Sequence, residues 1–284
     1  MCLYNDIIIL IYRIFIKTEV SMKKILIMTD IEGVTGVTTF EQAEKSQFGR
    51  DMLMNDLCAV LEGVSDAGAE AVVYDMHTDG RNINTSMINT PVVMGKPILL
   101  ELYRGVGREF DGLFLLGLHT MQHTGHLLAH SYLREYDAIY LNGLLVGEIG
   151  IEAALAGEQG IPLKFISGDD KGCLEAKELM GDIVTCPVKY SLGDDTALCL
   201  SPAESAKLLR EKAKEAVEAD VKPFTVEAPY EIKIVYSNCR YLEIMKEIHP
   251  EIFVDERTVV MRGDDLLKTW SQYLKYEKEM VNHK

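Results

Sequence analysis

The chain has 284 residues, 48% of them hydrophobic and 26% charged, with a formal net charge of −15. Such a chain is a globular protein long enough for a sizeable core, in one large domain or two smaller ones. The acidic balance argues against nucleic acid and against anionic membrane as partners, because both demand a basic footprint.

Six cysteines (Cys2, Cys58, Cys173, Cys186, Cys199 and Cys239) are scattered, with no Cys-x-x-Cys pair. In a chain of this length that pattern indicates reduced thiols and a cytoplasmic location, not a disulfide scaffold or a thiolate zinc site. The apolar run at 7–16 is broken by Arg13, is too short to span a bilayer and has no basic flank before it. Met22-Lys23-Lys24 leading into a strand reads as an ordinary start. Residues 1–21 are therefore expected to be a dispensable extension rather than a membrane tether.

Ile25-Leu26-Ile27-Met28 is a continuous apolar run, as a parallel strand buried on both faces requires. Just past its end stand Asp30 and Glu32, then Gly33. Side chains at i and i+2 of extended backbone point the same way. Both carboxylates can thus converge in the crevice beyond the strand's carboxyl end, where open α/β sheets bind ligands. Residues 34–46 read as loop. Met52, Leu53, Leu57, Val60, Leu61 and Val64 recur at helical spacing and predict a helix over 49–67, ended by Gly68.

Ala71-Val72-Val73-Tyr74 completes a strand–helix–strand unit, with His77 just past it. Residues 81–110 are irregular. The run at 113–118 is a third strand with His119 at its end, and 161–166 is a fourth, closing with Asp169-Asp170. Strands alternating with helices at this spacing predict an α/β fold: a mainly parallel, Rossmann-like sheet flanked by helices.

Four of the seven histidines (His119, His123, His126 and His130) fall between the third and fourth strands. A hairpin follows over 138–146, turning at Asn142-Gly143. Glu148 then opens a helix over 149–156, where a carboxylate is favourable on dipole grounds alone. From residue 201 the composition changes. A charged amphipathic helix over 203–219 precedes an alternating strand at 230–236, a helix at 241–248, a strand at 258–261 and a last helix capped by Asp264. We divide the chain into the extension (1–21), a metal-binding α/β catalytic domain (22–200) and a smaller α+β unit for covering or oligomerisation (201–284). The hairpin at 138–146 is a candidate member of that last unit.

Asp30, Glu32, His77 and His119 lie at strand ends, and Glu148 lies at a helix start. An oxygen and nitrogen ligand set without sulfur suits zinc, or manganese or iron in a related site. Five such groups exceed what one tetrahedral zinc needs, and they suit two metals sharing a bridging carboxylate. Two close divalent ions activate a water and polarise a carbonyl or phosphoryl oxygen. A further histidine such as His130 can relay a proton beside them. His123 and His126 lack any strand-end logic and are read as loop positions.

Thr29-Asp30-Ile31-Glu32-Gly33, Asp75-Met76-His77, Gly117-Leu118-His119, Ala129-His130-Ser131 and Val146-Gly147-Glu148-Ile149-Gly150 occur in that order. Together they resemble the zinc-dependent D-aminopeptidases once called dipeptide-transport proteins. Further agreement runs through Gly168-Asp169-Asp170, Val188-Lys189 and Leu200-Ser201-Pro202, so the resemblance covers essentially residues 22–280. It implies a binuclear zinc hydrolase that releases N-terminal D-amino acids from short peptides. Asp30 would bridge the two zinc ions, Glu32, His77, His119 and Glu148 would be the other ligands, and His130 the catalytic histidine. It also implies a homo-oligomeric ring enclosing the active sites.

Three departures from the family pattern bear on substrate range, one of them Asp194-Asp195 where the family has a basic position. Gln122, His123 and His126 stand where the family has a small-residue loop containing Pro and Gly. Glu152 stands where an Asn is expected, one turn after Glu148, on the same helix face. From there it either contacts the substrate's ammonium or faces solvent. Two other readings compete: a metal-dependent phosphoesterase or amidohydrolase, and a non-enzymatic peptide-binding protein linked to dipeptide uptake. The first lacks a P-loop or an Arg cluster beside the strand ends. The second would bind a D-dipeptide without hydrolysing it.

Overall fold

The structure is a computed structural model that describes residues 22–95 and 110–283. The 1–21 extension, and residues 96–109 of the segment read as irregular, lie outside the described residues. The fold is α/β. One sheet holds β1 (Lys24–Thr29), β2 (Glu70–Asp75), β3 (Val92–Val93), β4 (Gly112–Leu118), β7 (Leu163–Asp169), β8 (Val184–Ser191) and β9 (Ala197–Cys199). Their order is β3-β2-β1-β4-β7-β8-β9. All neighbours run parallel except β8 and β9.

Ile25 through Met28 are fully buried in β1 because both faces of the sheet are covered. Ile25 and Ile27 turn to one side with Phe114, Leu116 and Phe165. They pack there against α2 (Gln47–Asp66) and α5 (Pro202–Glu218) through Leu53, Leu57, Val60, Leu209 and Ala213. Leu26 and Met28 turn to the other side with Val72, Tyr74, Leu113 and Leu115. Their partners include Ile149 and Leu155 of α3 (Glu148–Glu158) and Cys173 and Ala176 of α4 (Asp170–Met180).

A second, antiparallel sheet lies on that same side. It contains β5 (Tyr136–Leu141), β6 (Leu144–Val146), β10 (Tyr230–Tyr236) and β11 (Thr258–Gly263), in the order β11-β10-β5-β6. Asn142 and Gly143 have φ of 48° and 83°, so the hairpin turns in the type I′ geometry that favours Asn-Gly. α6 (Arg240–Ile248) and α7 (Leu266–Val281) complete this layer, with Trp270 and Tyr273 of α7 fully buried. α5 instead packs on α2, so closely that a Cβ on Gly63 would meet the carbonyl of Arg210 at 2.4 Å.

Three sequence expectations are corrected. The segment read as loop over 34–46 contains α1 (Phe40–Lys45), held by a capping box between Thr39 and Gln42. Six residues are too few to show helical periodicity, although the Thr-x-x-Gln signal was present. β3, β8 and β9 belong to the sheet where no strand was read: β3 has two residues and β9 three, too short for a pattern, and β8 carries Pro187, which has no ladder donor. The last helix is capped by Asp265, whose side chain accepts from the Lys268 amide, not by Asp264. No helix among the described residues is long and apolar enough to cross a membrane.

Candidate metal centre

Three parallel strands end side by side at β2, β1 and β4, and their ends are brought unusually close. The Asp30 amide donates to the carbonyl of Leu116 at 2.8 Å, and the Gly33 amide to that of Gly117 at 2.7 Å. A Cβ on Gly33 would lie 2.0 Å from the carbonyl oxygen of Leu118, so only glycine permits this approach. Gly117 itself has φ of +78°, which turns the end of β4 and presents His119 beside Asp30.

Asp30, Glu32, His77, His119 and Glu148 are all buried. The Asp30 carboxylate faces two ways. Its Oδ1 lies 2.9 Å from His77 Nδ1, and its Oδ2 lies 3.5 Å from His119 Nε2. Glu32 Oε2 is 3.1 Å from His77 Nδ1, and Glu148 Oε1 is 3.4 Å from His119 Nε2. Asp30, Glu32 and His77 form one group, each offering a ligand atom within 4.8 Å of the others. His119, His130 and Glu148 form a second such group.

His130 stacks on His119, with ring centroids 4.1 Å apart and planes at 8°. Phe40 packs against it in a T-shaped arrangement, with centroids 5.2 Å apart. His130 Nδ1 lies 2.9 Å from the carbonyl oxygen of Leu128. A carbonyl can only accept, so Nδ1 carries the proton and Nε2 is left as the acceptor. Glu148 accepts the Tyr132 amide at 2.6 Å, and Glu152 accepts the Tyr132 hydroxyl at 2.9 Å. Glu152 is buried, which removes the solvent-facing option for it. His123 is exposed and His126 half-buried, in the loop after β4.

Burial pushes the Asp30 carboxyl up to about 7, with help from the Glu32 charge beside it. Burial acts on Glu32 in the same direction, but the adjacent His77 outweighs it and holds this carboxyl well below the usual range. Burial would lower both histidines, yet Glu32 and Asp30 raise His77 to about 11, and Glu148 and Asp30 raise His119 to about 10. His130 goes the other way, lowered by burial and by the His119 charge.

The site therefore calls for positive charge among its carboxylates. Glu32 Oε2, His77 Nε2 and His119 Nε2 are buried without a hydrogen-bond partner. Buried polar atoms of this kind in a native protein call for a ligand or water. The donor set of carboxylate oxygen and imidazole nitrogen fits divalent cations such as zinc.

Three supporting residues were given no role by the sequence, although Lys189 lies in a segment that carries the family resemblance. Asp56 of α2 accepts the Thr35 amide and hydroxyl at 2.8 and 2.9 Å. Glu175 of α4 accepts the Met121 amide and Thr120 hydroxyl at 2.8 and 3.1 Å. Lys189 of β8 donates to the carbonyls of Glu32, Val34 and Val37. Each is a polar residue fully or almost fully buried on an otherwise apolar element face, where periodicity alone reports nothing.

Comparison with known proteins agrees with this geometry. A D-aminopeptidase from Bacillus subtilis (strain 168) is 27% identical over 263 residues, covering 88% of this chain and 95% of the relative. A solved structure, described as a Zn-dependent D-aminopeptidase DppA from Bacillus subtilis and a self-compartmentalizing protease, superposes with a TM-score of 0.84. It is 25% identical and the match covers 91% of this chain and 98% of that one. The family model described as D-aminopeptidase matches residues 22–274. The chain is an enzyme of the D-aminopeptidase family.

Proposed function

We propose that this protein is a binuclear zinc hydrolase that releases N-terminal D-amino acids from short peptides. The observation that carries the reading is the two-sided carboxylate of Asp30, one oxygen turned to His77 and the other to His119. In this assignment Glu32 and His77 would hold one zinc, His119 and Glu148 would hold the other, and Asp30 would be shared between them. Bound there, two zinc ions would supply Lewis acidity toward the scissile carbonyl and lower the pKa of a water.

The protein's own groups do the remaining work. His130, neutral and with Nε2 free to accept, takes a proton from the nucleophilic water and returns one to the leaving amine. Its ring stacks parallel to that of His119, so their in-plane lone pairs run side by side instead of converging. That supports His130 as a proton carrier and not a co-ligand of His119. To Glu152, buried one turn beyond Glu148, we assign the substrate's ammonium. The resemblance and the self-compartmentalizing neighbour support a homo-oligomer, in a ring, that admits only small peptides, and we place it in the cytoplasm.

Metal analysis of the purified protein, combined with a screen of D- and L-aminoacyl dipeptides and amides, tests the proposal. Two zinc ions per subunit and selective cleavage of D-aminoacyl substrates are expected. One metal or none, or D-dipeptide binding without hydrolysis over hours, would overturn it.

A further inference from the structure

Lys189 is among the largest fully buried side chains of the described residues, at 0% exposure. Buried lysines are rare and normally paired with a carboxylate. Here the ammonium meets three main-chain carbonyls instead, those of Glu32, Val34 (3.0 Å) and Val37. An ammonium has three protons, and all three go to the single loop that follows β1. The connection spans more than 150 residues of sequence, from β8 to the loop that carries Glu32.

The loop has an electrostatic task that explains such a fastening. Asp30 and Glu32 are like charges held close together in a buried place, and their repulsion favours a backbone in which Glu32 swings away. An ammonium hydrogen-bonded to the carbonyl of Glu32 prevents that movement and adds a compensating positive potential. Asp56 fastens the next turn of the loop from the helix side through Thr35. The His119 and Glu148 half of the centre has its own supports, in Glu175 and the Tyr132 amide. The two halves share Asp30 and the main-chain bonds between β1 and β4, but the side chains that fasten Glu32 and those that fasten His119 and Glu148 are different.

We propose that Lys189 is a positioning residue that sets the metal affinity of the Asp30, Glu32 and His77 half of the centre and leaves the His119 and Glu148 half alone. The inference rests on the two-metal reading above. Residues that hold metal ligands in place are worth about 10- to 100-fold in affinity when removed, and the loss here should fall on one ion of two.

The test is a zinc titration of the chelator-stripped full chain against a chromophoric competitor, for wild type, Lys189→Met and Leu209→Ala. Leu209→Ala creates a core cavity on α5 and serves as the control for general destabilisation. Wild type and Leu209→Ala are expected to take up two equivalents with similar affinities. Lys189→Met is expected to keep one tight equivalent and to bind the second at least about 10-fold more weakly. Should Lys189→Met fail to fold, Lys189→Gln retains an amide donor and should show the same one-sided loss in smaller measure. A wild type with two equivalents and a Lys189 variant with both unchanged, or with both lost in parallel, overturns this assignment alone. A wild type with fewer than two equivalents overturns the two-metal reading and this assignment with it.

Discussion

The imidazoles of His119 and His130 lie face to face, with centroids 4.1 Å apart and an interplanar angle of 8°. One face of His130 is thus covered by a proposed ligand and its edge is fixed by the Leu128 carbonyl. The stacking and the hydrogen bond fix the His130 ring, a suitable state for the proton-carrying role proposed for it. His130→Ala should retain its metal and lose about 10²- to 10⁴-fold in kcat. Metal content measured beside turnover checks this, and full activity would contradict the role.

Chelation should abolish hydrolysis and lower the thermal midpoint together. Binding to the native state stabilises it by roughly 3 kcal/mol when free metal stands at about 100 times Kd. The buried carboxylates of Asp30, Glu32 and Glu148, gathered round His77 Nδ1 and His119 Nε2, give the physical reason. Readdition of zinc should restore both properties, and calorimetry with and without chelator reads the shift.

Glu175 offers a pH test with a definite sign. Burial pushes its carboxyl from 4.5 up to about 7. A raised carboxyl means that the folded state prefers the proton, so the cost of ionising it grows from pH 4.5 and is complete above pH 7. Glu175→Gln keeps an acceptor for Met121 and Thr120 and removes that cost. In chelator, the variant should gain up to about 3 kcal/mol over wild type at pH 8 and little at pH 4.5. Urea unfolding at the two pH values measures the difference.

Glu152→Gln removes the proposed partner of the substrate ammonium while preserving size. kcat/KM for D-aminoacyl dipeptides should fall about 10-fold or more, since a charge-assisted hydrogen bond is lost. The change should appear mainly in KM.

Gly33→Ala would drive a methyl to within 2.0 Å of the Leu118 carbonyl oxygen. Backbone cannot yield there without parting β1 from β4, so the substitution should cost upward of about 3 kcal/mol. Soluble yield and urea midpoint report it.

Much of the architecture was legible in the sequence. The apolar runs of β1, β2, β4 and β7 are continuous because helices and a second sheet cover both faces, and Asn142-Gly143 announced its hairpin. The carboxylates and histidines past those runs could be collected because strand ends of a parallel sheet share an edge. Phe40–Lys45 was too short to register, and β8, with Pro187 in its middle, was not read as a strand. With β8 went Lys189, whose importance depends on a contact across more than 150 residues that no local pattern encodes. The separate roles proposed for His119 and His130 likewise rest on ring orientation, which spacing does not carry.

The carbonyl of Leu118 sits between two glycines, since a Cβ on Gly33 would come within 2.0 Å of it and one on Gly168 within 1.8 Å. At this level β1, β4 and β7 meet main chain to main chain, with no side chain between them. The spacing of the strand ends that carry Asp30 and His119 is consequently dictated by peptide geometry, whereas the seat of Glu32 beyond them depends on Lys189. Residues around the mouth of the centre are then free to diversify toward different peptides while the chemistry beneath them keeps its dimensions.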